Sequence, residues 1–225
     1  MKSRNISAAA LLFLALGPAP RAFAAPGQWS LTLTPGWAAP AGHSGKGDRF
    51  QDENGGSFHM GAGLNYELEE FGWFGVEMGL STGHKFEGRF DRLDLDGDRT
   101  NDSVTYTSDM KTVSFHLTPI MKVGGSFDAD IRYYFSLGAG PYFYWRDAGT
   151  AVVSGAGTTG ASLDGRTVPF ANSSHAYMGF NIGHGLGYEV ADHVELGMDI
   201  RYHMVFRPGE LSGIIIPGGR LTVLF

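Results

Sequence analysis

The sequence predicts an all-β fold, an eight-stranded antiparallel up-and-down transmembrane β-barrel. Three observations predict it. Apolar side chains recur at every second position over most of the chain, the period of a strand with two unlike faces. The connections between these segments alternate between tight and long. The composition combines 34 Gly and 13% aromatics with no Cys, while 43% of residues remain hydrophobic, too many for a disordered chain.

The first 24 residues read as a signal peptide. Lys2 and Arg4 precede an apolar run from Ala8 to Gly17, Pro18 and Pro20 end it, and Ala22-Phe23-Ala24 supplies a small-x-small cleavage pattern. The run is shorter than the ~20 residues a helix needs to span a bilayer. Cleavage is expected between Ala24 and Ala25, leaving residues 25–225 as one barrel domain. The net charge is −6, and loss of Lys2, Arg4 and Arg21 makes it more negative, which argues against nucleic-acid binding. Without Cys, an exported chain must be held by hydrogen bonds and packing.

Eight segments carry the alternation. In 29–37, Trp29, Leu31, Leu33, Pro35 and Trp37 oppose Ser30, Thr32, Thr34 and Gly36. In 58–68, Phe58, Met60, Ala62, Leu64, Tyr66 and Leu68 oppose His59, Gly61, Gly63, Asn65 and Glu67. The pattern returns at 74–80, 113–123, 133–143, 178–190 and 194–204, and closes with Leu221, Val223 and Phe225 against Arg220 and Thr222. Residues 69–72, 124–128 and 191–193 are tight turns. Residues 38–56, 83–109 and 146–174 are long connections, and 207–213 is intermediate. His184 falls on the apolar phase. Pro35, Pro119, Pro141 and Pro217 each remove a ladder donor, so local irregularity is expected there.

The apolar phase is expected to face lipid. The polar phase is rich in Gly (Gly61, Gly63, Gly75, Gly79, Gly138, Gly140, Gly183, Gly185, Gly187), which suits a narrow interior and would only weaken a solvent-facing wall. Trp29, Tyr66, Trp73, Tyr133, Tyr188 and Phe225 lie toward the short-turn end. Trp37, Phe143, Trp145, Tyr202 and Phe206 lie toward the other, so two aromatic belts would meet the two membrane interfaces. Each strand is near the ~10 residues that a tilted crossing requires. Inward charges of both signs follow: Glu67, Glu77, Lys122, Arg132, Glu189, Glu195, Asp199, Arg201 and Arg220. They are expected to pair and plug the lumen, because an unpaired charge there costs several kcal/mol.

At the segments SFHLTPIMKVGG (114–125), YYFSLGAGPYFYW (133–145), GFNIGHGLGYEVADHVELGMDIRYH (179–203) and RLTVLF (220–225), the chain resembles outer-membrane β-barrels of the OmpA/OmpX type. The resemblance implies a bacterial outer membrane, both termini in the periplasm, and contact with outer-membrane lipid and lipopolysaccharide. It also implies a C-terminal signal, here Leu221, Val223 and Phe225, read by the barrel-assembly machinery. No wall-anchoring domain is expected after the barrel.

Chemistry is sparse. Lipid A 3-O-deacylase barrels use a His-x-Ser pair, whereas His203 is followed by Val205. His116 has Ser114 in the reverse order on the same inward face, read as interior filler. Asp94, Asp96, Asp98 and Asp102 with Gly97 suit calcium in part, but the distal Glu of a full loop is missing. A solvated acidic loop, with Arg89, Arg92 and Arg99 interspersed, is the preferred reading. The run 149–161 is expected to be a mobile extracellular loop. No cofactor, metal or catalytic site is assigned. The expected role is structural or interactional, as a monomer with loops 39–56, 84–109 and 146–174 outside. The alternatives are a small passive channel for small or hydrophobic solutes and a lipid A-modifying enzyme.

Overall fold

The computed structural model describes residues 27–45, 56–69, 72–85, 88–128, 130–208 and 210–225, so the expected signal peptide lies outside the described residues. All regular structure among them is β. The strands are β1 (Trp29–Gly45), β2 (Ser57–Glu69), β3 (Gly72–Lys85), β4 (Gly88–Leu93), β5 (Asp102–Ser108), β6 (Lys111–Asp128), β7 (Ile131–Arg146), β8 (Gly149–Ser154), β9 (Thr167–Phe170), β10 (Ser173–Ala191), β11 (Val194–Arg207) and β12 (Glu210–Leu224).

Eight of them close into a barrel in the order β1-β12-β11-β10-β7-β6-β3-β2, every neighbour antiparallel. Closure gives each backbone amide a partner, which hydrocarbon cannot. The phases fall as lipid demands. Leu31, Leu33, Met60, Leu64, Val76, Met78, Leu137, Leu186 and Met198 are exposed, while Glu77, Lys122, Asp199 and Arg201 are buried. This is the inverse of a water-soluble protein. Trp29, Trp37, Trp145 and Phe225 stand exposed on the outer wall at its two ends.

The structure corrects the sequence reading at several places. Residues 207–213 are no loop: Arg207 pairs with Glu210, and the last strand runs from Glu210 instead of from Arg220. Ile214, Ile215 and Ile216 fill both phases there, which hides the alternation. Ile214 and Ile216 turn inward against Ala38, and Ile215 faces out. Pairing with this longer strand carries β1 to Gly45, past a register shift between Pro40 and His43. Trp73 belongs to the inner phase with Gly75 and Glu77 and lines the lumen beside Lys122 and Arg132, so it is no part of the outer aromatic belt.

The prolines cause no register shift. Pro35 pairs with Met60, Pro119 with Val76, Pro141 with Met178 and Pro217 with Ile200, and the bulges fall elsewhere, chiefly near strand ends. Each proline's neighbour on the other side is a strand that also carries a proline. Pro35 and Pro217 share the β1–β12 seam, and Pro119 and Pro141 share the β6–β7 seam. The missing donors are thus confined to two seams on opposite sides of the barrel.

The long connections 84–109 and 146–174 are not plain loops. Together they build a second sheet, β4-β5-β8-β9. The run 149–161, expected to be mobile, contains strand β8 and an Ala156↔Ser162 bridge. Alternation is present in these short strands. Val104, Tyr106, Ala151 and Val153 are buried, while Ser103, Thr105, Thr107, Thr150 and Ser154 are exposed.

Candidate functional site

Two places gather functional groups: the lumen and the raised sheet. In the lumen, Arg201 on β11 reaches Glu77 on β3, diametrically opposite in the strand order, with Nη1 2.6 Å from Oε1. Its Nη2 is 3.0 Å from Asp199 Oδ2. Nearer the short turns, Glu195 lies between two guanidinium groups, 2.8 Å from Arg132 and 3.0 Å from Arg220. Arg132 also lies 3.9 Å from Glu189. Lys122 and Arg220 stand over the Tyr134 ring, 5.2 and 4.7 Å from its centroid. Glu67 is buried on β2, level with Trp73. All nine predicted charged residues are therefore buried on the inner face, most of them in two groups around Arg201 and Glu195, with Lys122 beside the second.

Inner-wall glycines give these long side chains their seats. A Cβ on Gly185 would stand 2.6 Å from the Tyr134 hydroxyl, and one on Gly179 would stand 2.7 Å from the Tyr142 ring. Gly187 leaves room for Arg220, and Gly79 for His59 and His116. Glycine thus marks where the inner wall makes room for these side chains.

A histidine layer toward the long-connection end was not foreseen. His59, His116 and His203 are all buried. His116 stacks on His59 and Tyr142, with centroids 5.9 and 5.3 Å away, and its Nε2 is 3.8 Å from Glu77 Oε1. Tyr142 Oη and His203 Nδ1 share a hydrogen bond of 2.9 Å. The Ser–His contact inside the barrel is Ser81 with His59 at 2.9 Å, a cross-strand pair, and not Ser114 with His116. The only available signal was that each imidazole sits on a polar phase.

The sheet buries Val104, Val153 and Leu163 in one cluster and Tyr106, Met110 and Ala151 in another. On β5, β8 and β9 its other face offers Ser103, Thr105, Thr107, Thr150, Val152, Ser154 and Thr167 to water. Arg146 ties it to the barrel mouth, donating to Ala171 O and lying 5.2 Å from the Phe170 centroid. Nearby, Arg207 lies over Tyr144 and Tyr177, at 4.6 and 5.2 Å.

The acidic segment clasps the two connections together. Asp102 accepts from Leu95 N at 2.7 Å and from Thr158 N at 2.8 Å. Asp96 accepts from Thr159 Oγ1 at 2.7 Å, and Asp94 from Gly97 N and Arg99 N. The solvated-loop reading fails for Asp102, which is fully buried because these donors replace water. The Leu95 amide holds Asp102 below its ordinary carboxylate range, and the Thr159 hydroxyl does the same for Asp96. Asp164 is lowered by the Gly155 amide. Oxygens of Asp94, Asp96 and Asp102 lie within 4.8 Å of one another. Arg99 is exposed, and the side chains of Arg89 and Arg92 lie outside the described residues.

At the C-terminus, Leu221 and Val223 lie on the outer wall opposite Leu33 and Leu31. Phe225 and Trp29 exchange backbone hydrogen bonds of 2.9 Å, closing the barrel at the chain ends.

Among solved structures, the chain is similar to Neisserial surface protein A, at 13% identity and a TM-score of 0.54, over 88% of this chain and 97% of that one. It is also similar to Ail, the attachment invasion locus protein of Yersinia pestis (14%, TM-score 0.38, 88% and 99%). The N-terminal barrel domain of Pseudomonas aeruginosa OprF is likewise similar (14%, 0.39, 88% and 99%). The first likeness bears on fold alone. No curated protein matches. The family model "Outer membrane protein beta-barrel domain" matches residues 7–213. With that match over a closed eight-stranded barrel whose outer wall is apolar, the chain belongs to the outer membrane protein β-barrel family and is a bacterial outer-membrane barrel.

Proposed function

We propose that the protein is a surface-interaction protein, in which a plugged barrel anchors a small extracellular sheet. One observation carries this reading. The connections 84–109 and 146–174 form a sheet with its own apolar core and, on its strands β5, β8 and β9, a hydroxyl-rich outer face. A connection that only closed a barrel would need neither. Support for the plug comes from the ion pair that crosses the lumen between Arg201 and Glu77. The small cavity near the short turns, about 30 Å³, has room for roughly two waters.

In this reading residues 1–24 are removed on export, both termini lie in the periplasm, and lipopolysaccharide surrounds the outer wall. The assembly machinery reads Leu221, Val223 and Phe225. In this reading the barrel has no catalytic role, and its buried Ser81–His59 pair is interior filler. The test compares cells displaying the full chain with cells displaying one in which short Gly-Ser turns replace residues 88–108 and 149–170. Both are applied to arrays of glycans and host proteins. Binding that disappears with the sheet is expected, and equal behaviour of the two strains overturns the reading. Planar-bilayer recording tests the plug, and steady conductance by the full chain would defeat it.

A further inference from the structure

His184 breaks the barrel's rule. It stands on the outer phase of β10, exposed, between Phe135 of β7 and Ile200 of β11. Its ring lies 6.3 Å from that of Phe135, and among the described residues it has no hydrogen-bond partner. Tyr188, in the belt at the short-turn end, is four residues away. At ~3.3 Å per residue on a strand tilted by about 40°, that puts the imidazole roughly 10 Å inside an apolar band of about 25 Å. An imidazole is too short to reach either interface from there. Hydrocarbon supplies neither donor nor acceptor, so even the neutral ring bears an unmet desolvation cost.

The wall around it is uneven. Phe135 on one side and Met198 on the other are 64% and 68% exposed, among the most prominent side chains of the wall. Next to Met198 lies a groove of about 650 Å³, lined by Pro35, Leu186, Tyr188, Leu196 and Leu221 and floored by Gly219, where a Cβ would meet nothing within 4 Å. The groove also touches Ile131 of β7, so it runs across β7, β10, β11 and β12 on the short-turn side of His184.

We infer that this wall docks a second copy of the same chain in the membrane. Two copies of like orientation are related by a two-fold axis along the membrane normal. Such an axis near β10 brings each His184 to the other and sets the Phe135 side of one copy against the Ile200 side of its partner. A neutral imidazole is a donor at one nitrogen and an acceptor at the other, so the pair satisfies itself. A lipid chain fills the groove equally well but leaves both imidazoles without partners. This replaces the expectation of a monomer with a weak dimer.

The chain has no Cys, so single thiols report cleanly. Leu186→Cys on this wall is compared with Leu64→Cys on β2, across the barrel, both lipid-facing. The full mature chain is reconstituted in phospholipid vesicles at low density and treated with a short bis-maleimide. Crosslinked dimer at Leu186→Cys is expected to exceed that at Leu64→Cys roughly fivefold. Adding His184→Leu should abolish most of the excess, whereas His184→Gln, which keeps a donor and an acceptor, should retain it. Heat-shifted gel migration confirms that each variant is folded. Equal crosslinking on the two walls, or a yield that His184→Leu leaves unchanged, overturns the inference.

Discussion

The barrel and the raised sheet are written in the same alternating code with opposite meaning. In the barrel, Leu64, Val76 and Met198 point out and Glu77 and Arg201 point in. In the sheet, Thr105, Thr107 and Ser154 point out and Val104, Tyr106 and Val153 point in. The solvent decides. Acyl chains accept an apolar wall and leave the narrow interior to charges that must satisfy one another, whereas water accepts hydroxyls and drives apolar side chains together. A single chain meets both media, and its polarity inverts where strands leave the bilayer.

The contrast can be broken from the inside first. Arg201→Ala leaves Glu77 and Asp199 buried without their shared cation and should cost about 3–5 kcal/mol, read from the urea midpoint of unfolding in micelles. A loss below that range would mean that water already screens the lumen. Next comes one substitution made in both media. Leu64→Arg places a charge against acyl chains and should cost about 2–4 kcal/mol, while Val152→Arg on the exposed sheet face should stay within about 0.5 kcal/mol. Similar costs at the two positions would refute the inversion. Leu163→Ala opens a hollow in the sheet core and should cost about 2–3 kcal/mol. Hydrogen exchange should place that loss in residues 94–108 and 149–166 and leave the barrel strands protected.

The smallest effect is one of pH. Asp96, Asp102 and Asp164 have carboxyls held below their ordinary range by hydrogen bonds to the charged form. Their contribution is therefore complete above the ordinary carboxylate pKa near 3.9 and fades as pH falls below it. Exchange in the sheet, corrected for its intrinsic pH dependence, should quicken as pH falls below about 4 while barrel exchange holds steady. Unaltered protection of Asp102's partners Leu95 and Thr158 would contradict the clasp.

The barrel was legible because seven of its strands alternate over long, unbroken stretches, and lipid tolerates few exceptions. The start of β12 was hidden by three successive isoleucines, of which only Ile215 faces lipid. The sheet was hidden by scale: β5 and β8 offer only two buried apolar side chains apiece within Thr- and Gly-rich sequence, too short for periodicity to stand out. Trp73 was misplaced because its size suggested a belt, whereas its phase already put it inside. The nine lumen charges could be named from phase alone, but their grouping could not, because Arg201 and Glu77 meet across the barrel and not between neighbours. Nor could the histidine layer be foreseen, since it joins three strands that are far apart in sequence.

The clasp between Asp102 and Thr158, and between Asp96 and Thr159, joins two connections that are separated in the chain by a complete hairpin of the barrel. A replacement in one therefore has to be met by a compatible replacement in the other, so the two connections are tied to change as a pair.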